Sequence, residues 1–184
     1  ADEGPAEDSV MVVLHNPDFV NTLLDFAIPV AELRGRRLVA MTVVEVPQQL
    51  PIHEGMRFAH HKETLLRAAQ QYGREHGVQI DTDLVIAHRV EEGIFTAANR
   101  HRADVMLMAW KGYSNTRERI FGETADNVIR YAPCDLMMLK IEGRDFRTCL
   151  FPTAGGPNAQ LAADLLNALA KTFNLSVTTG YVVP

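Results

Sequence analysis

Short apolar runs alternate along this chain with longer segments of helical period, and that alternation leaves few folds open. Val10 to His15 (VMVVLH) is nearly unbroken apolar sequence, as a parallel strand covered on both faces requires. From about Asp18 to Leu33, Val20, Leu23, Leu24, Ala27, Val30 and Leu33 recur at helical spacing. Pro29 should kink that helix, because its nitrogen carries no hydrogen for the carbonyl of Asp25. Further strands are predicted at Leu38 to Val46, Ile80 to Ala87, Val105 to Ala109 and Leu136 to Ile141. Helices are predicted at about Arg57 to His76, Val90 to His101 and Gly122 to Tyr131. Pro47 and Pro51 bound a loop with Gly55, and Gly77 supplies a left-handed stop to the second helix. The order βαβαβαβαβ demands a mostly parallel sheet with right-handed crossovers and helices on both faces.

A chain of 184 residues has room for one domain with a substantial core and part of a second. Its acidic start, residues 1–8, reads as a flexible leader unlike a signal peptide. No apolar run reaches membrane-spanning length, so a soluble chain is expected. The net charge of -5 gives no general attraction to nucleic acid or anionic lipid, so no nucleic-acid partner is expected and any phosphate must be held by a local arrangement. Cys134 and Cys149 lack metal-ligand spacing and flank predicted strands, which points to buried reduced thiols and a reducing compartment. His60 and His61 point about 100° apart on a helix and cannot chelate one ion as an i, i+4 pair can, so a solvated face and no metal are expected.

The pattern then begins again. Residues 149 to 152 (CLFP) are predicted as a strand, Thr153 to Asn158 as a loop, and a helix follows to about Phe173 through Leu161, Leu165, Leu166 and Leu169. Ser176 to Val183 reads as one more strand. Gly155-Gly156 reads as a tight strand-to-helix turn, since no P-loop Lys-Ser/Thr pair follows it. Alignment of the two units sets Val12 opposite Phe151, His15 opposite Ala154, Val20 opposite Ala159 and Val46-Pro47 opposite Val183-Pro184, an internal repeat of long period. The expected organisation is a leader over 1–8, a complete domain over 9–142 and a partial second repeat over 146–184, as in a fragment of a tandem protein.

Function is expected in the stretch from Met106 to Leu139, MLMAWKGYSNTRERIFGETADNVIRYAPCDLMML. It joins a strand, a polar loop, a helix and a second strand, and a helix start offers unpaired N–H groups and a positive dipole end to an anion. With G-x9-G between Gly112 and Gly122, followed by ETADNVIRYAPCDLMMLK, Val10 to Ile141 resembles a universal stress protein domain. The Asn16-Pro17-Asp18 turn, Val44-Glu45-Val46-Pro47 and Gly155-Gly156-Pro157-Asn158 also resemble the tandem stress-protein-like region that follows the membrane domain in some prokaryotic amino acid permeases.

The resemblance implies a flavodoxin-like, adenine-nucleotide-alpha-hydrolase-like three-layer α/β sandwich with a five-stranded parallel sheet. It also implies dimers or tandem pseudo-dimers, and a site for ATP or AMP at the carboxyl ends of the strands. ATP-binding members carry G-x2-G-x9-G-[S/T]; here Ala109 stands at the first glycine, Gly112 and Gly122 at the others, and Glu123 replaces the hydroxyl. A methyl at Ala109 would restrict positive φ and fill space, and the Glu123 carboxylate would oppose a triphosphate. His15 stands where that subset ends its first strand in an acid. The candidate nucleotide or anion contacts are His15, Lys111, Gly112, Ser114, Gly122 and Thr124, with Asn115, Thr116, Arg117 and Arg119 nearby. Trp110 is expected to pack the loop against the sheet.

Nothing in the sequence points to catalysis. No G-x-S-x-G elbow occurs, neither cysteine has a context that lowers its pKa, and Glu91 and Glu92 start a helix whose dipole they complement. The expected function is a non-catalytic regulatory or interaction module at the cytoplasmic tail of a transporter, its partners itself and its own membrane domain. The alternative is a stand-alone ATP- or AMP-binding stress protein.

Overall fold

The computed structural model describes residues 8–110, 122–140 and 146–181. β1 (Ser9–Val13) is buried over its whole length and lies between β2 (Arg37–Glu45) and β4 (Ala103–Trp110). β3 (Ile80–Ala87) and β5 (Asp135–Lys140) complete a five-stranded sheet in the order β3-β2-β1-β4-β5, with every pair parallel. This is the α/β architecture that the alternation of runs predicts. Successive strand residues point to opposite faces, so β1 feeds two cores. Val10, Val12 and Leu14 pack with Leu23 and Leu24 of α1 (Val20–Arg34) and Leu65 and Ala69 of α2 (Ala59–Glu75). Met11 and Val13 pack with Ile94 and Ala97 of α3 (Val90–Arg100) and Val128 of α4 (Glu123–Tyr131). Each such buried side chain contributes about 1.5–3 kcal/mol, so neither face tolerates a polar replacement on β1.

Local chemistry decides where elements stop. α1 continues through Pro29 and ends at Gly35, whose φ of 59° lets its amide reach the carbonyls of Ala31 and Glu32. The segment expected as a loop after Pro51 is instead a 3-10 helix, Ile52–Phe58, and its Gly55 is buried. A Cβ on Gly55 would lie 2.3 Å from Ile86 Cγ2 and 2.7 Å from Val46 Cγ2, so this glycine serves close approach rather than loop freedom. On the edge strand β3, Asp81 accepts from Arg37 at 3.2 Å, and Asp83 accepts from Arg100 at 2.9 Å and bonds His101 at 2.8 Å. At the start of the described residues, Asp8 pairs with Arg36 at 3.3 Å and Arg102 at 3.0 Å.

After the first sheet, β6 (Thr148–Thr153), α5 (Pro157–Phe173) and β7 (Ser176–Tyr181) form a second, two-stranded parallel sheet with its crossover helix. One constant offset relates this unit to the first: Ser9 pairs with Arg37 and Thr148 with Ser176. At the same offset α1 ends at Arg34 and α5 at Phe173, and the left-handed caps Gly35 (φ 59°) and Asn174 (φ 51°) correspond. Even the closing bonds match, Arg36 N to Ala31 O at 3.0 Å and Leu175 N to Ala170 O at 2.9 Å. α5 packs on α1: Leu165 and Leu169 enter the first core, and the Phe26 ring lies 4.9 Å from Phe173 and 5.4 Å from Phe146. Val183-Pro184 lies outside the described residues.

Gly93 brings α3 close enough to the sheet for the site residues at its start to be fixed. A Cβ there would lie 2.8 Å from both methyls of Val43. Gly93→Ala is expected to lower stability by about 1–3 kcal/mol, as overpacking does. Urea unfolding should show a lower midpoint at unchanged slope; an unchanged midpoint would contradict the close contact.

Candidate functional site

Two adjoining clefts open at the carboxyl ends of the strands. One, of 440 Å³, has apolar walls from Val13 of β1 and Leu14 just beyond it, Val43 of β2, and Met108, Ala109 and Trp110 of β4. The other, of 510 Å³, is polar and is lined by Glu45, His88, Arg89 and Glu91 among others. Glu123 and Thr124, at the start of α4, line both and form their shared wall. The apolar cleft lies where the chain's crossovers diverge to either side of β1, the position at which open α/β sheets leave a crevice.

Three of the residues singled out in the sequence meet at the apolar cleft: His15, Gly122 and Thr124. His15 is exposed just beyond β1, and Thr124 is the second residue of α4. Gly122 caps α4 at φ 95°, accepts the Asp126 amide at 2.9 Å, and has open space where a Cβ would stand. Lys111, Gly112 and Ser114, like Asn115, Thr116, Arg117 and Arg119, lie outside the described residues. Ala109 differs from the positive-φ expectation. It sits within β4, is 5% exposed, and is absent from the positive-φ positions, so its methyl brings no backbone strain and acts only by lining the cleft. The half-buried ring of Trp110 forms cleft wall, with Lys140 Nζ 5.9 Å from the ring centroid, and the loop it was expected to pack lies outside the described residues.

Two further residues line the clefts, Glu91, read from the sequence only as a complement to its helix dipole, and Lys62, which the sequence did not single out. Glu91 is only 6% exposed; Arg89 donates to Oε1 through Nη2, and the Asn127 amide donates to the same oxygen at 2.9 Å. Burial pushes this carboxyl up. Its own backbone amide, Asn127, and Arg89 by hydrogen bond and charge together outweigh that and hold it below the ordinary 4.5. Lys62 of α2 is the other, and it brings a cation to the apolar cleft. The clue was helical phase: Glu91 precedes Ile94 by three residues and Lys62 precedes Leu65 by three, so each lies on its helix's inward face.

The polar cleft also fixes a tautomer. His88 Nδ1 lies 3.0 Å from the Val46 carbonyl, which can only accept, so Nδ1 carries a proton. The cysteines are free and half-buried. Burial, with Asp135 and Asp104 adding to it, pushes the Cys134 thiol up to about 11, the reverse of an activated thiolate. Among the described residues no group of three His, Cys, Asp or Glu side chains is placed to hold a metal, and no helix is long and apolar enough to cross a membrane.

The apolar walls fit a base and ribose, whereas Glu123 at the helix start does not fit a polyphosphate. Sheet order, crossovers and crevice together define an open, doubly wound α/β domain with the parallel strand order β3-β2-β1-β4-β5. The model of the universal stress protein family matches residues 8–140, and the chain belongs to that family. Solved structures agree in fold. A universal stress protein in complex with cAMP is 21% identical, with 74% of this chain and 98% of that chain covered and a TM-score of 0.54. The Archaeoglobus fulgidus universal stress protein in complex with dAMP is 19% identical, with 74% and 100% covered and a TM-score of 0.54. A putative universal stress protein from Pseudomonas aeruginosa UCBPP-PA14 is 15% identical, with 95% of this chain but 61% of that chain covered and a TM-score of 0.63. No curated protein matches the chain.

Glu91 sets a pH dependence. Its folded value is depressed, so its stabilisation is complete above the unfolded carboxyl value and is lost as pH falls through the folded one. Glu91→Gln should cost about 1.5–3 kcal/mol at pH 7, the worth of hydrogen bonds to a charged group, and lose less on acidification below pH 4.5 than the parent. Urea midpoints at pH 7 and 3.5 for both proteins test this; parallel losses would show that Glu91 is not the group responsible.

Proposed function

We propose that the chain is a non-catalytic, ligand-responsive regulatory module whose apolar cleft takes an adenine nucleoside monophosphate in preference to ATP. The observation that carries this reading is the pairing of apolar walls with a carboxylate, Glu123, at the start of α4. A base and ribose gain from burial against Met108, Ala109 and Trp110, while each added phosphate charge meets Glu123 and only Lys62 opposes it among the described lining residues. The cAMP and dAMP complexes of two relatives, both monophosphates, support the ligand class. A non-catalytic role is supported by Glu91, whose carboxylate is occupied by Arg89 and Asn127, and by the raised thiol of Cys134.

The unit from β6 to β7 belongs in this proposal to a partial second repeat. Its matched pairing, caps and closing bonds support that reading, as does fold likeness over 95% of the chain to the Pseudomonas protein. The setting proposed is the tail of an amino acid permease or related transporter, resting on the Asn16-Pro17-Asp18, Val44 to Pro47 and Gly155 to Asn158 motifs. Membrane-spanning segments encoded in frame before Ala1 would support that setting, and a start codon there would favour a stand-alone protein.

Trp110 is the sole tryptophan and lines the cleft, so its emission reports occupancy. AMP is expected to bind about tenfold more tightly than ATP with magnesium, and Glu123→Ser to recover about that factor for ATP, a difference of roughly 1.4 kcal/mol. Calorimetry beside Trp110 fluorescence measures both. Tighter binding of ATP than of AMP by the parent chain would refute the proposal.

A further inference from the structure

Between β2 and α2 the chain leaves Leu50, Ile52, Met56 and Phe58 in solvent, at 40%, 49%, 62% and 53% exposure. The cause is local geometry. A 3-10 helix repeats every three residues, so Ile52, Gly55 and Phe58 form one row, and Gly55 is pressed onto Ile86 and Val46 with no room for a side chain. That contact holds the row down at its middle and leaves its two large ends half outside. Met56 continues the apolar surface on the neighbouring row, three residues after His53.

Basic groups surround these side chains. His53, Arg57 and His60 are 80%, 78% and 89% exposed, and His61 is exposed beside them. The carboxylates facing them are Glu54, which accepts from Arg57 at 3.1 Å and lies 3.8 Å from His53, and Glu63, which accepts from Arg67 at 2.8 Å and lies 4.0 Å from His60. On the strands packed beneath, the ends carry Glu45, His88, bonded to the Val46 carbonyl, and Arg89, paired with Glu91 and Glu92. With its histidines neutral the corner is nearly balanced, Arg57, Lys62 and Arg67 against Glu45, Glu54 and Glu63. Protonated histidines make it cationic, and histidine is the side chain that changes charge between neutral and mildly acid conditions.

We propose that this corner docks on an anionic lipid bilayer at mildly acid pH. Leu50, Ile52, Met56 and Phe58 enter the headgroup boundary, and His53, His60 and His61 supply the positive charge. A short apolar surface alone binds bilayers weakly and without regard to their charge; combined with cations it selects anionic leaflets. The chain's net charge of -5 opposes a general attraction to such a surface, so the contact depends on the local charge of this corner. Pro47 and Gln48 line the polar cleft and Lys62 the apolar one, which sets the docked membrane beside both mouths.

Cosedimentation of the full chain with vesicles tests the proposal, using phosphatidylglycerol mixed with phosphatidylcholine or phosphatidylcholine alone, at pH 5.5 and 7.5. Binding is expected to the anionic vesicles at pH 5.5, weaker by on the order of a hundredfold at pH 7.5 for three charges, and weakened by salt. Met56→Ser with Phe58→Ser should abolish it. His53→Gln, His60→Gln and His61→Gln together should remove the pH step, and thermal unfolding of both variants should match the parent because every substituted side chain is exposed. Equal binding to neutral vesicles or no binding at pH 5.5 would overturn the proposal. So would self-association at pH 5.5, lost in the Met56/Phe58 variant, which would make the corner a contact between copies.

Discussion

A parallel strand with hydrogen-bonded neighbours on both edges and apolar side chains on both faces has no surface to offer water, and β1 is such a strand. Everything else answers to its burial. Helices must cover both faces, so α1 and α2 pack on one and α3 and α4 on the other. The crossovers must then leave β1 in opposite directions, toward β2 on one side and β4 on the other. Helices that diverge in this way cannot close over the strand's carboxyl end. The cleft between Leu14 and Trp110 is therefore a consequence of burying Val10 to Val13, and ligand chemistry enters only through the residues at its rim.

This division explains what could be read in the sequence. Burial leaves a periodic trace, so β1 was legible in VMVVLH, and the faces of α1 and α2 in their leucine spacing. Backbone chemistry leaves a trace as well, and Gly77 stands at φ 69° where the stop was predicted. Pairing leaves none. That Glu91 would bond Asn127, or Asp8 reach Arg36 and Arg102, depends on segments brought together only by the sheet. Gly55 misled for a related reason: a glycine among prolines reads as a turn, whereas its role is set by Ile86, distant in sequence and adjacent in space. Ala109 is the opposite case: its motif position suggests positive φ, whereas the residue lies inside a strand.

The second unit shows the same physics with less to bury. Two parallel strands do not make a stable sheet alone, and β6 and β7 leave Leu150, Val177 and Tyr181 exposed. What holds the unit is α5, whose Leu165 and Leu169 complete the core beneath α1, with Phe26, Phe146 and Phe173 clustered at its end. Local structure is nonetheless kept closely: Asn174 adopts the left-handed cap that Gly35 adopts in the first unit, although a side chain makes that conformation cost more. Agreement of cap, closing bond and strand register at one offset requires both segments to solve the same strand–helix–strand problem, even where the residues differ.

At the rim, stability and ligand charge compete for the same atoms. The first turn of α4 has amides without helical partners and a positive dipole end, which is what makes a helix start attractive to phosphate. Glu123 supplies a negative charge there from within the chain, along with Asp126 one turn in, and such a charge is worth about 0.3–1 kcal/mol to an exposed helix. Glu123 thus stabilises the helix whose start would otherwise be the more attractive to an anion. A hydroxyl in its place would leave the dipole for a ligand to satisfy, at a cost to α4 whenever the ligand is absent. Gly122 does not share in this exchange: its φ of 95° and the open space beside it keep the backbone approachable whichever charge occupies the helix start. The cleft therefore keeps the open shape that the sheet imposes, while Glu123 and Lys62 are the charged side chains that line it among the described residues.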